Sequence, residues 1–311
     1  MQDEDPPVDQ MGSAGTFSGL NDAPGIDQIS ADLFKGRTRQ VDRLFAAAGF
    51  RSPLLLWSPN QMQLGDRAFL PLSQLAERHG GVLRDRDFFA SDLAASRDWL
   101  MVLRAIGLGS DFEYEHYGNG IIDHYGQDLT GQRTSRIGGH ISQFFLALYR
   151  AAMYRKESFL SEHQPPGAVF VSRWRRYGVP ILDDAGQVVR FAVINRPENQ
   201  LRAGLAMVPL PCVVADDSQI VCYSNDAFLR MRPSVGAGRL GITLEKALGA
   251  PVTLPASPAE LAYPVPSTVE QAMTITGPDG SATEIQATIG GAEHGGMPFY
   301  VIVLHRLPQP G

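Results

Sequence analysis

The sequence predicts an α+β protein of two domains, each an antiparallel sheet of about five strands with flanking helices, behind an N-terminal helical extension. A length of 311 residues suits two compact domains of ~100–200 residues each. Strand-like runs of period two alternate with runs of helical period in both halves, and turns rich in Asp and Gly join neighbouring strands. We therefore divide the chain into a disordered acidic tail (1–26), the helical extension (27–86), a first domain (87–198) and a second domain (199–311).

The N-terminal segments are interpreted from their charge and periodicity. Residues 1–30 carry six acidic side chains and no basic one, and they cannot bury enough apolar surface to offset the entropy of ordering. Asp27–Ala48 places its apolar side chains roughly on one helical face, and Asp66–His79 has the same period before Gly80 and Gly81 end it. The extension is therefore predicted to be helical.

The first domain is predicted to contain a helix, a strand, short helices, a long helix and a terminal strand hairpin. Leu93–Ile106 and Gly139–Ser161 have helical spacing, whereas Asp111–Tyr117 alternates with period two. Ala168–Leu182 and Gln187–Arg196 are rich in β-formers and are joined by an Asp-Asp-Ala-Gly turn, which predicts a strand hairpin.

The second domain is predicted to contain five strands, with short helices between the second and the third. A helix begins near Asn225, and Asn199–Met207 is a predicted helix that bridges the two domains. The five predicted strands are Cys212–Asp216, Gln219–Tyr223, Ala272–Thr276, Thr283–Ile289 and Pro298–His305.

Composition excludes several classes of protein. The formal net charge of −6 argues against a sequence-independent grip on nucleic acid. No apolar run approaches the ~20 residues of a membrane helix, and the acidic Met1–Gln10 is unlike a signal peptide, so we expect a cytoplasmic protein that does not enter a membrane. The two cysteines, Cys212 and Cys222, are too few for a disulfide framework or a four-ligand zinc site.

Both halves carry motifs that resemble PAS domains. Residues 205–231 combine an apolar strand ending in Asp, a turn and a second strand closing on Asn225, Ala227 and Phe228, which resembles the opening of a PAS domain. In the first half, Phe112–Gly118, Tyr125–Gly131 and Val179–Asp183 are similar to a divergent bacterial branch of the same family. The resemblance implies a homodimer, a pocket between sheet and helices, and a signal passed through terminal helices to an effector such as a histidine kinase or a nucleotide cyclase.

Six residues of the first half are candidates for binding a ligand in such a pocket. Tyr114 and His116 share a strand face with Phe112. Arg173 and Arg175 share one face of their strand, and Trp174 and Arg176 share the other. One of these guanidinium groups could enter the pocket and pair with a ligand carboxylate, although a rim of salt bridges would give the same pattern. The candidate ligand-binding residues are Tyr114, His116, Tyr125, Phe145, Arg173 and Trp174.

The sequence identifies no cofactor, no metal site and no catalytic residue. Gly-x-Ser-x-Gly is absent, neither cysteine lies in a reactive signature, and no His-x-x-His pair occurs. His140 is a candidate axial ligand only by analogy with haem-binding PAS domains.

We therefore expect a sensory and dimerisation module without catalysis of its own, which binds a small molecule or a partner and relays its state through the inter-domain helix. Two alternatives stay open from the sequence: the input region of a larger nucleotide cyclase or sensor kinase, and a scaffold whose pockets are packed solid.

Overall fold

The computed structural model describes residues 24–306 except 89, 166–168, 233–240, 255, 264–265 and 277–280. The helices of its first half are α1 (Ile26–Phe34), α2 (Arg39–Ala47), α3 (Gln61–Leu64), α4 (Leu70–Arg78), α5 (Asn119–Tyr125) and α6 (Gly139–Arg155). The strands of this half are β1 (Leu54–Trp57), β2 (Leu83–Arg84), β3 (Leu100–Ile106), β4 (Asp111–Tyr117), β5 (Phe159–His163), β6 (Arg173–Leu182) and β7 (Val188–Glu198).

These strands form one sheet, whose order is β1-β5-β6-β7-β3-β4, with β2 pairing in parallel with the end of β6. Its inner face packs against α1, α2, α5 and α6 through an aromatic-rich core. Its outer face is covered by the chain around α3 and α4, whose buried side chains include Leu64, Phe69 and Leu72. The first sheet is therefore buried on both faces.

The second half begins with a helix and builds a separate sheet. Its helices are α7 (Gln200–Ala206), α8 (Asp226–Met231), α9 (Leu244–Leu248) and α10 (Pro258–Ala262), and its strands are β8 (Cys212–Ala215), β9 (Val221–Ser224), β10 (Thr268–Thr276), β11 (Ala282–His294) and β12 (Met297–Arg306). The sheet order is β10-β11-β12-β8-β9, with every pairing antiparallel.

The two sheets share one topology. Counted from β3 in the first and from β8 in the second, each runs third, fourth, fifth, first, second strand, with helices inserted between the second and third. This is the arrangement of two strands, helices and three strands that the PAS resemblance implies, and the predicted α+β fold class is confirmed.

Two predicted helices of the first domain differ from the structure. Leu100–Ile106 is strand β3 and not the end of a helix, because a strand buried on both faces loses the polar alternation that reveals strands in sequence. The long helix ends at Arg155, where Lys156 adopts a left-handed conformation with φ of 54°. The chain then enters β5, whose first three residues, Phe159–Ser161, the sequence pattern assigns to the helix.

The segment predicted to be a helical extension, 27–86, also contributes β1 and β2 to the first sheet. Residues 1–23 of the predicted tail lie outside the described residues. No helix in the described part of the chain is long and apolar enough to cross a membrane.

Candidate functional site

A bulge in β4 decides which of its side chains face the interior. The register against β3 shifts between the pairs made by Tyr114 and His116, so Glu115 is an extra residue. An extra residue reverses the alternation beyond it. Tyr114 is therefore buried on the inner face and so is Tyr117, whereas His116 turns away and its Nε2 lies 3.3 Å from the backbone oxygen of Arg97. The structure thus corrects the predicted inward placement of His116.

The arginines of β6 separate onto the two faces of the sheet. Arg173 lies on the outer face, in ion pairs with Glu198 (2.6 Å) and Glu162 (3.3 Å). Trp174 and Arg176 lie on the inner face, with 2% and 6% of their surfaces exposed. The shared face of Trp174 and Arg176 agrees with the prediction, but the guanidinium that enters the interior belongs to Arg176 and not to the candidate Arg173.

Three polar side chains cross the inner face side by side, and we call them the polar row: Ser161 of β5, Arg176 of β6 and Asn195 of β7. The strand register places Ser161 and Asn195 directly opposite Arg176. Arg176 Nε donates a hydrogen bond to Asn195 Oδ1 at 3.2 Å. Its Cζ lies 3.8 Å from the centre of the Phe145 ring on α6, a cation–π contact. The candidate Phe145 therefore touches the guanidinium directly.

A small cavity adjoins the polar row. It has room for about one water molecule. Its walls come from β4, α5, β5, α6, β6 and the chain between the two helices, and its lining residues are Tyr117, Tyr125, Leu129, Ile137, Ile141, His163, Trp174 and Arg176. The candidates Tyr125 and Trp174 thus line the cavity, and Tyr114 stands behind Tyr117 with its ring 5.3 Å away.

Buried polar atoms without a hydrogen-bond partner concentrate in this region. Among the described residues they include Tyr114 Oη, Thr134 Oγ1, Tyr149 Oη, Ser161 Oγ, His163 Nδ1, Arg176 Nη1 and Asn195 Nδ2. Native proteins pair nearly all of their buried polar atoms, because each unpaired one costs about 1–3 kcal/mol. Such a concentration is typical of a functional site rather than of a packed core.

Burial fixes the protonation of the aromatic groups around the cavity. Desolvation raises the pKa of Tyr114, and the positive charge of Arg176 opposes the shift. Thr134 opposes it as well, from a position that falls short of regular hydrogen-bond geometry. Desolvation, then the charge of Arg176, holds the pKa of His163 well below its usual value. At neutral pH the phenols are therefore protonated donors, the imidazole is neutral, and Arg176 carries the positive charge.

His140 lies near this region but does not fit the role of a haem ligand. Its ring is stacked on Phe50 with centroids 4.5 Å apart and meets the edge of Phe45 at 4.9 Å. Burial lowers its pKa to about 4. A haem at its buried Nε2 would have to displace this aromatic packing. No group of three or more metal-ligating side chains occurs among the described residues.

Helix α5 connects the cavity to the second domain. Tyr125 at its end lines the cavity, and the backbone oxygen of Asp123 accepts a hydrogen bond from Arg202 Nη1 on α7 at 3.0 Å. The Arg202 guanidinium also lies 4.9 Å from the Tyr223 ring of β9. Between these contacts, the His124 ring stands 6.4 Å from the ring of Trp174.

Asn225 fastens the other end of this connection. Its Oδ1 accepts hydrogen bonds from the backbone of Phe228, which caps α8, and from the backbone of Cys212. Its Nδ2 donates to the backbone oxygens of Val208 and Leu210, just beyond α7. The Asn-x-Ala-Phe motif therefore has a physical role: one side chain joins the inter-domain segment to the first strand and first helix of the second domain.

Both cysteines are buried in the second sheet. Desolvation raises the pKa of Cys212 and of Cys222 to about 12. The thiols are therefore protonated near neutral pH and are poor nucleophiles.

Comparison with known proteins supplies structural neighbours only. No protein-family model and no curated protein sequence matches the chain. The PAS domain of nitrogen regulation protein NR(II) from Vibrio parahaemolyticus is 18% identical over 35% of this chain and 99% of its own, with a TM-score of 0.27. The PAS domain of an HTR-like protein from Haloarcula marismortui is 13% identical over 35% of this chain and 89% of its own, with a TM-score of 0.25.

A third neighbour spans more of the chain. The ligand-binding domain of the Pseudomonas aeruginosa chemoreceptor PctC, in complex with GABA, is 15% identical over 90% of this chain and 94% of its own, with a TM-score of 0.27. Scores this low carry no argument about shared geometry, so the assignment rests on the strand order that both sheets have in common. By that order, the described part of the chain consists of two domains of the PAS fold in tandem.

Proposed function

We propose that this protein is a cytoplasmic signal-transduction module, without catalysis of its own, that senses a small molecule in the cavity of the first domain and relays its binding to the second. One observation carries the proposal: α5 holds both a wall of the cavity, Tyr125, and the oxygen of Asp123 that anchors Arg202 of α7. A change in the cavity that displaces this short helix therefore acts on the inter-domain segment directly.

The size of the cavity makes such a displacement necessary. With room for about one water, the cavity cannot take a larger ligand unless a wall moves. Tyr125 is only partly buried and lies at the end of α5, next to Gly126, which has φ of 86°. Other walls, such as Trp174 on β6 and Ile141 on α6, belong to long elements packed on both sides. A ligand that binds the opened form better shifts the population towards it, which is the physical content of sensing here.

The second domain receives the change through two attachments. Arg202 packs on Tyr223, so rotation of α7 bears on β9. Asn225 ties the backbone after α7 to both β8 and α8. These contacts support the proposal that the inter-domain helix is the relay, as the sequence led us to expect of Asn199–Met207.

Filling the cavity by mutation tests the relay without a ligand. Ile137→Phe enlarges a cavity wall and is expected to displace α5, since the added ring exceeds the space available. Amide hydrogen exchange of residues 221–231, which cover β9 and α8, should then change. Adding Arg202→Met should return the exchange in this segment to its wild-type rate while the first domain stays altered.

A matched control separates relay from general destabilisation. Ala192→Val overpacks the outer layer of the same sheet, at a fully buried site away from α5, and should cost a similar ~1–3 kcal/mol. If it changes exchange at 221–231 as much as Ile137→Phe does, or if Arg202→Met leaves the effect of Ile137→Phe intact, the relay through α5 and α7 is wrong.

The proposal includes a homodimer and an effector kinase or cyclase, both of which rest on the PAS resemblance. The first sheet has its outer face covered by α3 and α4, which favours the second domain as the place of self-association. Light scattering after size exclusion tests this: the full chain should be a dimer, and charge-reversing substitutions on the first domain should leave it so.

A further inference from the structure

We propose that the cavity of the first domain binds a small monocarboxylate and that Arg176 is the residue that holds its charge. The inference rests on the proposed sensing function and names the chemical class of the ligand. The polar row places the guanidinium of Arg176 on a sheet face whose side chains outside the row are mainly apolar and aromatic.

The charge of Arg176 has no anionic partner among the described residues. The ion pairs of this domain involve arginines on the outer face or at the surface, such as Arg173, Arg175 and Arg190. Arg176 Nε donates to the neutral amide of Asn195, and the phenols of Tyr114 and Tyr149 lie close enough to interact with the guanidinium without regular hydrogen-bond geometry. Among the described residues, its buried Nη1 therefore has no regular partner. An arginine keeps its charge even when buried, and a buried charge is stable only when it is paired. A ligand anion would supply the missing partner.

The neighbouring groups add donors and no second charge. Tyr114 and Tyr149 are protonated phenols whose oxygens lack partners, and Ser161 adds a hydroxyl beside the guanidinium. Tyr117 and Tyr125 are likewise neutral, since burial raises the pKa of both. His163 is neutral as well. The groups that face the site from β4, α5, α6 and β5 therefore add no charge, and the net charge of the site is the +1 of Arg176. One positive charge with hydroxyl donors matches a monoanion, whereas a dianionic phosphate would leave a buried negative charge.

The remaining walls select the body of the ligand. Leu129, Ile137 and Ile141 are aliphatic, and Trp174 presents an indole face. These surfaces favour an apolar group over a second polar one. The planar fork of arginine fits a carboxylate through two hydrogen bonds, which a spherical halide cannot match. The site therefore fits a carboxylate on a short aliphatic or aromatic body.

The test compares carboxylates with their uncharged amides on the full chain. Acetate, propionate, butyrate and benzoate are titrated against acetamide, propionamide, butyramide and benzamide at constant ionic strength. Unfolding is followed by tryptophan fluorescence, which reports only the first sheet and its layers because Trp57, Trp99 and Trp174 are the only tryptophans. At least one carboxylate should raise the unfolding temperature by an amount that grows with the logarithm of its concentration above about 1 mM, and its amide should not.

Two variants assign the effect to the site. Arg176→Met should weaken binding by about 30-fold or more, the usual effect of removing one partner of a buried charge pair. Arg173→Met removes a neighbouring guanidinium from the outer face of the same strand and should bind as the wild type does. Equal responses to acid and amide, an Arg176→Met variant that still binds, or no rise in the unfolding temperature with any of the four acids would overturn the proposal.

The outcome is separable from that of the relay. If no carboxylate binds but Ile137→Phe still alters exchange at 221–231, sensing stands and the ligand class is wrong. If a carboxylate binds through Arg176 but Ile137→Phe leaves exchange at 221–231 unchanged, the ligand class stands and the relay is wrong.

Discussion

The polar row makes an unusual prediction about stability: Asn195→Leu should destabilise the wild-type protein and stabilise the Arg176→Met variant. In the wild type, Asn195 Oδ1 accepts the hydrogen bond that Arg176 Nε donates. Without Arg176, the same amide is a buried polar group with no partner. The sign of its contribution to the free energy of unfolding therefore depends on its neighbour.

The magnitudes follow from the contacts of Arg176. Its charged hydrogen bond contributes about 1.5–3 kcal/mol, and its contact with Phe145, desolvated and at 3.8 Å, contributes about 2 kcal/mol. Desolvation of the guanidinium opposes these by several kcal/mol. Arg176→Met alone should thus change stability by no more than about 2 kcal/mol. Asn195→Leu should cost about 2 kcal/mol in the wild type and add about 1–3 kcal/mol in the Arg176→Met background.

Urea denaturation in a buffer free of carboxylates measures the four proteins of this cycle. Tryptophan fluorescence isolates the first domain, so the second does not blur the transition. The coupling energy between the two sites should reach about 3–5 kcal/mol. If Asn195→Leu has the same sign and size in both backgrounds, the two side chains do not interact and the polar row is refuted.

Three further predictions concern other parts of the molecule. Burial, and then the charge of Arg202, lowers the pKa of His124 to about 4. Because the unfolded chain binds this proton first, the contribution of His124 to stability should fall by about 1.4 kcal/mol per pH unit from pH 6.5 to 4, in addition to the falls that His140 and His163 cause. His124→Phe should therefore reduce the slope of stability against pH, measured by urea unfolding, by one proton. Asn225→Ala removes the cap of α8 and leaves buried backbone groups unpaired. The rate at which a thiol reagent labels the two buried cysteines should therefore rise about 30-fold or more. Asn225→Asp keeps an oxygen that can cap the helix and should raise the labelling rate less. Gly118→Ala would place a Cβ against the backbone oxygen of Asp98 and should lower stability by about 1–3 kcal/mol in thermal unfolding, whereas an unchanged unfolding temperature would contradict the close approach.

The sequence predicts the fold better where strands are exposed on one face. The hairpin of β6 and β7 was predictable because Asp183 and Gly186 mark its turn, and the structure pairs them as expected. Strand β3 was not predictable, because its first four residues are buried between the two layers that cover the faces of the sheet. Burial on both sides erases the alternation on which recognition of a strand depends.

The candidate site was predictable in composition but not in orientation. The alternation of side chains along β6 correctly places Trp174 and Arg176 on the same face, but alternation does not show which face of the sheet is the inner one. That choice depends on the layer around α3 and α4, which covers the face of Arg173. The extra residue Glu115 likewise reverses the alternation of side chains along β4, and the local sequence does not indicate a bulge there. The pairing of β4 with β3, and not the local sequence pattern, therefore determines that Tyr117 faces inward and that His116 does not.

The energy available to a ligand at Arg176 suits a switch. Pairing a desolvated guanidinium with a carboxylate is worth about 2–5 kcal/mol when measured by removal of one partner. Shifting a two-state equilibrium from 1:99 to 99:1 requires about 5.5 kcal/mol of differential binding. A single carboxylate therefore supplies most of a complete shift if the contact forms only when Tyr125 and α5 have moved. If the contact also formed in the closed cavity, the ligand would bind the closed and open states equally well. It would then not shift the position of α5 or its contact with Arg202. In the proposed mechanism, the narrowness of the cavity is therefore what would make an anion site act as a sensor, because a ligand could not bind the closed state.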